Sequence, residues 1–149
     1  MDDNSRIFIV LGAEHAAMHL LTDTYNPLET FKEHQVFREA SEKYLNARPY
    51  AGRPLFEMIK ATMYEPLEDT KYVKTYQTTC YEHCLEVARK AVKEYYSEED
   101  YKLYGEYLVA CAKDVAESSG GGLLGMDAEY SDAEKQHIQR LRDMFELEY

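Results

Sequence analysis

In every long segment of this chain the apolar residues recur at intervals of three and four, and no run alternates apolar with polar as a half-buried strand requires. That periodicity confines the fold to packed helices. The first stripe, Ile7, Val10, Leu11 and Met18, belongs to a helix that starts near Asn4 or Ser5. Pro27 suits the first turn of a second helix, from about Leu28 to Asn46, whose inward face is Phe31, Val36, Phe37, Ala40 and Tyr44. Arg48 to Pro54, with Pro49, Gly52 and Pro54, reads as a loop leading into a short helix carrying Leu55, Phe56, Ile59 and Met63.

Beyond the Glu65-Pro66 break, Tyr72, Val73, Tyr76, Cys80, Cys84, Val87, Ala91 and Tyr95 predict a long helix from about Glu68 to Tyr96. Thr70, Thr75, Thr78 and Thr79 weaken its first half by β-branching and permit a kink or break. Ser97 is placed to cap the next helix, with Glu98, Glu99 and Asp100 at the end where negative charge is favoured. That helix carries Tyr104, Leu108, Cys111 and Val115 inward and ends at the glycines following Ser119. Ser131 and Glu134 form the reciprocal Ser-x-x-Glu capping box of a last helix with Ile138, Leu141 and Phe145 on its apolar face. The expectation is one all-α domain spanning residues 1–149, a compact bundle of about six to seven helices. An Ala-rich helix followed by a charged one in both the first and last thirds suggests a pseudo-twofold arrangement.

The segment from Ser118 to Glu134 reads as a built site. Gly120, Gly122 and Gly125 spell G-x-G-x-x-G, but a helix precedes them, and a dinucleotide fingerprint needs a strand there. The carboxylates are the better clue, because Asp127, Glu129 and Glu134 crowd together beside a helix start, and hard cations take oxygen ligands of this kind. Asp114 and Glu117, on the preceding helix, are placed to complete such a set around Ca²⁺ or Mg²⁺. The same acids also stabilise a helix dipole without any metal.

The order of Ala-rich helix (Ala110, Ala112, Ala116), glycine turn, Leu123-Leu124-Gly125, acidic loop and Ser131-Asp132-Ala133-Glu134 helix start resembles the TerB-like, tellurite-resistance-associated family over the last third of the chain. The family's Asp-Gly at the turn is replaced here by Ser118 to Gly125 followed by Asp127. The resemblance implies an all-helical, non-enzymatic module in stress or metal-ion response, with cation binding.

Charge narrows the partners. Lys and Arg number 17 against 28 Asp and Glu, a net charge of -11 that repels nucleic acid over most of the surface. The longest apolar run, Ile7 to Ala13, is too short for a membrane span, and Asp2 and Asp3 stand where a secretory leader would be basic, so a cytoplasmic home is expected. Among 14 tyrosines, Tyr95, Tyr96, Tyr101, Tyr104 and Tyr107 form a cluster suited either to a core edge or to a surface for a protein partner or self-association.

A competing reading is a small metalloprotein or metalloenzyme. His15 and His19, four apart on one helix, with His137 and nearby carboxylates, have chelating spacing, although Ala16 stands where the His-Glu-x-x-His motif would place its base. Cys80, His83 and Cys84 offer three soft ligands on successive turns, against the simpler account of buried, reduced thiols.

Overall fold

The computed structural model describes residues 3–18, 27–63, 81–119 and 132–147, with side chains described for 5–13, 16, 35–63, 83–117 and 135–147. Six helices occupy these residues: α1 (Asp3–Met18), α2 (Pro27–Leu45), α3 (Pro54–Met63), α4 (Tyr81–Tyr95), α5 (Glu98–Ser119) and α6 (Asp132–Met144). There is no strand among the described residues, and the all-α expectation holds. None of the described helices is long and apolar enough to cross a membrane.

Helices α1 and α5 form the centre. α1 packs against α2, α3, α4 and α5, while α5 also meets α2, α4 and α6. The apolar run in α1 explains its place: Ile7, Ile9, Val10, Leu11, Ala13 and Ala16 are buried around most of the helix, as a helix enclosed by neighbours requires. Two glycines set how closely the helices approach. A Cβ added at Gly12 would lie 2.6 Å from the Tyr104 hydroxyl oxygen, and one at Gly105 would lie 2.6 Å from Phe145 Cβ, so α1 and α6 each pack onto α5 where one partner lacks a side chain.

The helix ends follow their local chemistry. Pro54 opens α3, where its missing N–H costs nothing, and the Glu57 carboxylate reaches back to accept the Gly52 amide at 3.1 Å. Gly52 itself sits at φ 84, in the region that favours glycine, and the Arg48–Pro49 peptide is cis. Ser97 caps α5 as expected, its hydroxyl accepting the Asp100 amide at 3.1 Å. α6 closes with a Schellman pattern: the Leu147 amide donates to Arg142 C=O at 2.9 Å, Glu146 to Asp143 C=O at 3.2 Å, and Glu146 takes φ 55.

A connected set of aromatic rings runs through the core from α2 to α6. Tyr44 meets Tyr50 at 6.2 Å between centroids, Tyr50 meets Phe56 at 5.0 Å, and Phe56 meets Tyr107 at 5.8 Å. Tyr107 meets Tyr104 at 6.4 Å, Tyr104 meets Phe145 at 5.7 Å, and Phe145 meets Tyr101 at 5.4 Å. Most of these pairs are edge-on, a geometry worth about 0.5–1.5 kcal/mol each beyond the burial itself.

The tyrosine cluster is therefore divided. Tyr104 and Tyr107 are wholly buried core residues, because their hydroxyls find partners inside: Tyr104 donates to the Ile9 carbonyl at 2.6 Å, and Tyr107 pairs with Ser41 at 2.6 Å. Tyr96 and Tyr101 are half-buried, and Tyr95, at the last turn of α4, is 49% exposed. Tyr50, on the segment read as a plain loop, is also a core residue.

Several expectations were finer than the described residues allow. The first half of the long helix predicted from about Glu68, with its threonines and Cys80, lies outside them up to residue 80, as do His19, the glycine-rich turn, Ser131, Asp127 and Glu129.

Candidate functional site

α5 is buried on most sides, yet one stripe of it stays polar: Lys102, Glu106, Lys113 and Glu117 recur at helical spacing, with Asp114 beside them. α2 and α6 flank this stripe without covering it, and the result is a pair of open clefts. The larger, about 380 Å³, lies between Tyr44 of α2, the α5 stripe from Lys102 to Glu117, and Arg142 and Leu147 at the end of α6. The smaller, about 300 Å³, lies between Val36, Glu39, Ala40 and Lys43 of α2 and Asp114 and Glu117 of α5.

Asp114 and Glu117, two of the carboxylates singled out in the sequence, line both clefts. Asp114 is already engaged. Its Oδ2 accepts from Lys43 Nζ at 3.1 Å and from the Tyr44 hydroxyl at 3.0 Å, which ties α2 to α5. The Lys43 ammonium also lies 4.5 Å from the centroid of the Tyr44 ring. Hydrogen bonding to Asp114 raises the Lys43 pKa; burial, then the same carboxylate, raises that of Tyr44. Both side chains therefore stay protonated as donors at neutral pH.

The other predicted ligands lie beyond the described side chains. Glu134 lies on α6, in its first turn, while Asp127 and Glu129 lie outside the described residues. Among the described residues, no three His, Cys, Asp or Glu side chains are grouped to hold a metal ion.

Of the histidine and cysteine candidates, His137, His83 and Cys84 have described side chains, and each has a structural partner. α1 and α6 meet through His137, which is buried and whose Nε2–H donates to the Ala16 carbonyl at 2.9 Å. That carbonyl is one of the last four of α1, so His137 satisfies a helix end. The His15 side chain lies outside the described set. His83 is exposed and sets its ring edge-on to Phe8, 6.0 Å away, whereas Cys84 is buried with its thiol toward the Phe8 carbonyl at 3.7 Å. They sit on different sides of α4 from the standpoint of solvent, and do not share an open site.

Cys111 is buried within reach of the Ser41 and Tyr107 hydroxyls. Burial pushes its thiol far above the ordinary range, so it stays protonated and a poor nucleophile. This Ser-Tyr-Cys set looks catalytic by residue type, but it is sealed between α2 and α5 and serves as core hydrogen bonding.

One ion-pair cluster was not anticipated. Arg53, the residue before α3, pairs through Nε with the buried Asp100 carboxylate and through Nη2 with Glu99 at 3.7 Å, which fastens the α3 start to the α5 start. The only sequence signal was the acidic first turn of α5; its partner, a lone loop arginine, carried none. The clefts had a clearer signal, the polar stripe on an otherwise apolar α5.

The chain matches no family model, no curated protein and no solved structure.

Proposed function

We propose that this chain is a non-enzymatic helical module, TerB-like in its C-terminal third and serving in stress or metal-ion response, that acts by binding. Its protein partner is seated in the clefts between α2, α5 and α6. The observation that carries this reading is the pair of open, charge-lined clefts on either side of Asp114, set against hydroxyls and thiols of Ser41, Tyr104, Tyr107 and Cys111 that are buried in structural bonds. Interleaved charges of both signs, Lys102, Glu106, Lys113, Glu117 and Arg142, give a partner register and orientation more than raw affinity.

A divalent cation is the second part of the proposal, held by Asp127, Glu129 and Glu134 with Asp114 or Glu117 completing the set. The engagement of Asp114 by Lys43 means that metal binding through Asp114 exchanges one cation for another. A cation that binds the folded chain raises the melting temperature, and the rise continues with the logarithm of its free concentration above the dissociation constant.

Photo-crosslinking tests the partner surface. A benzophenone amino acid at Ala110, inside the larger cleft, is expected to give one discrete adduct in cells, and the same group at the exposed Gln136 of α6 none. Equal adducts from both positions would remove the clefts from consideration. Calorimetry with Ca²⁺, Mg²⁺, Mn²⁺ and Zn²⁺ tests the cation; no heat with any of them ends that half of the proposal.

A further inference from the structure

The polar stripe of α5 is complementary to itself when the helix is reversed. Lys102 and Glu117 stand equally far from the point between Val109 and Ala110, and so do Glu106 and Lys113. At 3.6 residues per turn these six residues fall within a strip about 100° wide and about 22 Å long. All six line the larger cleft. Turning the helix end for end about that midpoint puts every cation where an anion stood.

A twofold axis between identical chains uses this kind of pattern. In an isologous contact, one residue meets a second on the other copy, and the second meets the first in return. With two α5 helices facing each other antiparallel about Val109 and Ala110, Lys102 stands opposite Glu117 and Glu106 opposite Lys113, and each pair occurs twice. A parallel arrangement would set like charges against one another. The residues at the axis, Val109 and Ala110, carry no charge to desolvate.

The charges are also available. Lys102, Glu106 and Lys113 make no ion pair among the described residues. Glu117 has a contact within the chain, and a carboxylate with two oxygens accepts from a second cation as well. The cleft lining balances Lys102, Lys113 and Arg142 against Glu106, Asp114 and Glu117, on a chain whose net charge is -11. Two copies therefore meet less repulsion on this face than the overall charge would impose.

We infer that the occupant of the larger cleft is a second copy of this chain, docked about a twofold axis with the two α5 helices antiparallel and the register set by the Lys102–Glu117 and Glu106–Lys113 pairs. This rests on the partner-binding reading above and identifies that partner.

The test is sedimentation velocity of the full chain over a range of concentrations, with charge-exchanged variants alone and mixed. The parent is expected to dimerise reversibly. Glu106→Lys and Lys113→Glu each place like charges at both symmetry-related contacts and are expected to raise the dimer dissociation constant about tenfold. Glu106→Lys also makes the chain less acidic, so overall charge alone would strengthen its self-association; the register demands the opposite. An equimolar mixture of the two variants restores opposite charges at both contacts and is expected to dimerise as tightly as the parent. Lys102→Glu mixed with Glu117→Lys repeats the design at exposed positions, where folding is not at stake. Glu106→Lys mixed with Lys135→Glu, a change on the exposed face of α6, is expected to give no rescue. A parent chain that stays monomeric, or mixtures that associate no better than the single variants, would overturn the inference. A benzophenone adduct at Ala110 with a different protein would also overturn it while leaving the partner-binding reading intact, whereas the absence of any adduct there removes that reading itself.

Discussion

Replacing Gly105 by alanine puts the close approach of α5 and α6 to a direct test. The new Cβ would lie 2.6 Å from Phe145 Cβ, 2.7 Å from Cγ and 3.2 Å from Cδ1. Carbon atoms in contact rest about 3.5–4.0 Å apart, so roughly 1 Å of separation has to be found. The Phe145 ring cannot swing clear, because the clash is with the base of its side chain and the ring is held between Tyr101 and Tyr104. Overpacking of this sort costs about 1–3 kcal/mol, and two contacts at the side-chain base put this site in the upper half of that range. Helix propensity opposes it, since alanine is favoured over glycine by about 1 kcal/mol within a helix. The net expectation is a loss of about 1–2 kcal/mol. In urea unfolding the midpoint should fall while the slope stays unchanged. A Gly105→Ala protein as stable as its parent, or more stable, would show that propensity governs here and that the helices do not meet as described. A double-mutant cycle sharpens the test: Gly105→Ala should cost less in a Phe145→Ala background, by about 0.5–3 kcal/mol of coupling.

Gly12→Ala drives its Cβ to 2.6 Å from the Tyr104 hydroxyl and 3.2 Å from Ala88 Cβ. Thermal unfolding should show it destabilised, and less so in a Tyr104→Phe background, although Tyr104→Phe alone loses the bond to Ile9 at about 1 kcal/mol. Glu146→Gly relieves a non-glycine residue at φ 55 and is expected to stabilise the chain by about 1 kcal/mol in the same assay. Alkaline pH should unfold the protein. Burial pushes Tyr50 up to about 12 from an ordinary 10.0 and raises Tyr104 and Tyr107 further, so the folded state holds protons that the unfolded chain releases. Stability from this source is intact below pH 10.0 and falls as pH climbs through about 12, the range between unfolded and folded values for Tyr50. Ultraviolet titration of phenolate should show a late, cooperative step coincident with loss of helical circular dichroism; early independent titration of all 14 tyrosines would contradict the buried aromatic core.

Much of the architecture is local information. The starts of α2 and α3 at Pro27 and Pro54, the Ser97 cap and the Ile138, Leu141 and Phe145 face of α6 were all legible, since each depends on a few neighbouring residues. The stripe Ile7, Val10 and Leu11 marked the inward face of α1, but its burial around most of the helix, with Ile9, Ala13 and Ala16 also inside, came only with the neighbours that enclose it. Tyr50 was missed because nothing in Arg48 to Pro54 states that the turn folds inward onto Phe56 and Tyr107. Of the candidate site, Asp114 and Glu117 lie together on the clefts, while Asp127 and Glu129 lie outside the described residues and Glu134 is placed by its backbone alone.

Residue order alone determined that the chain is helical, where most of the described helices begin and end, and which faces are apolar, because hydrogen-bond capping and 3.6-residue periodicity act over a single turn. Tertiary structure alone decided which polar groups meet. Lys43 reaches Asp114 across 71 positions, Tyr104 reaches Ile9 across 95, and His137 reaches Ala16 across 121. Such pairings depend on how helices cross, and that is settled by close packing at places like Gly12 and Gly105, where a missing side chain lets two backbones approach.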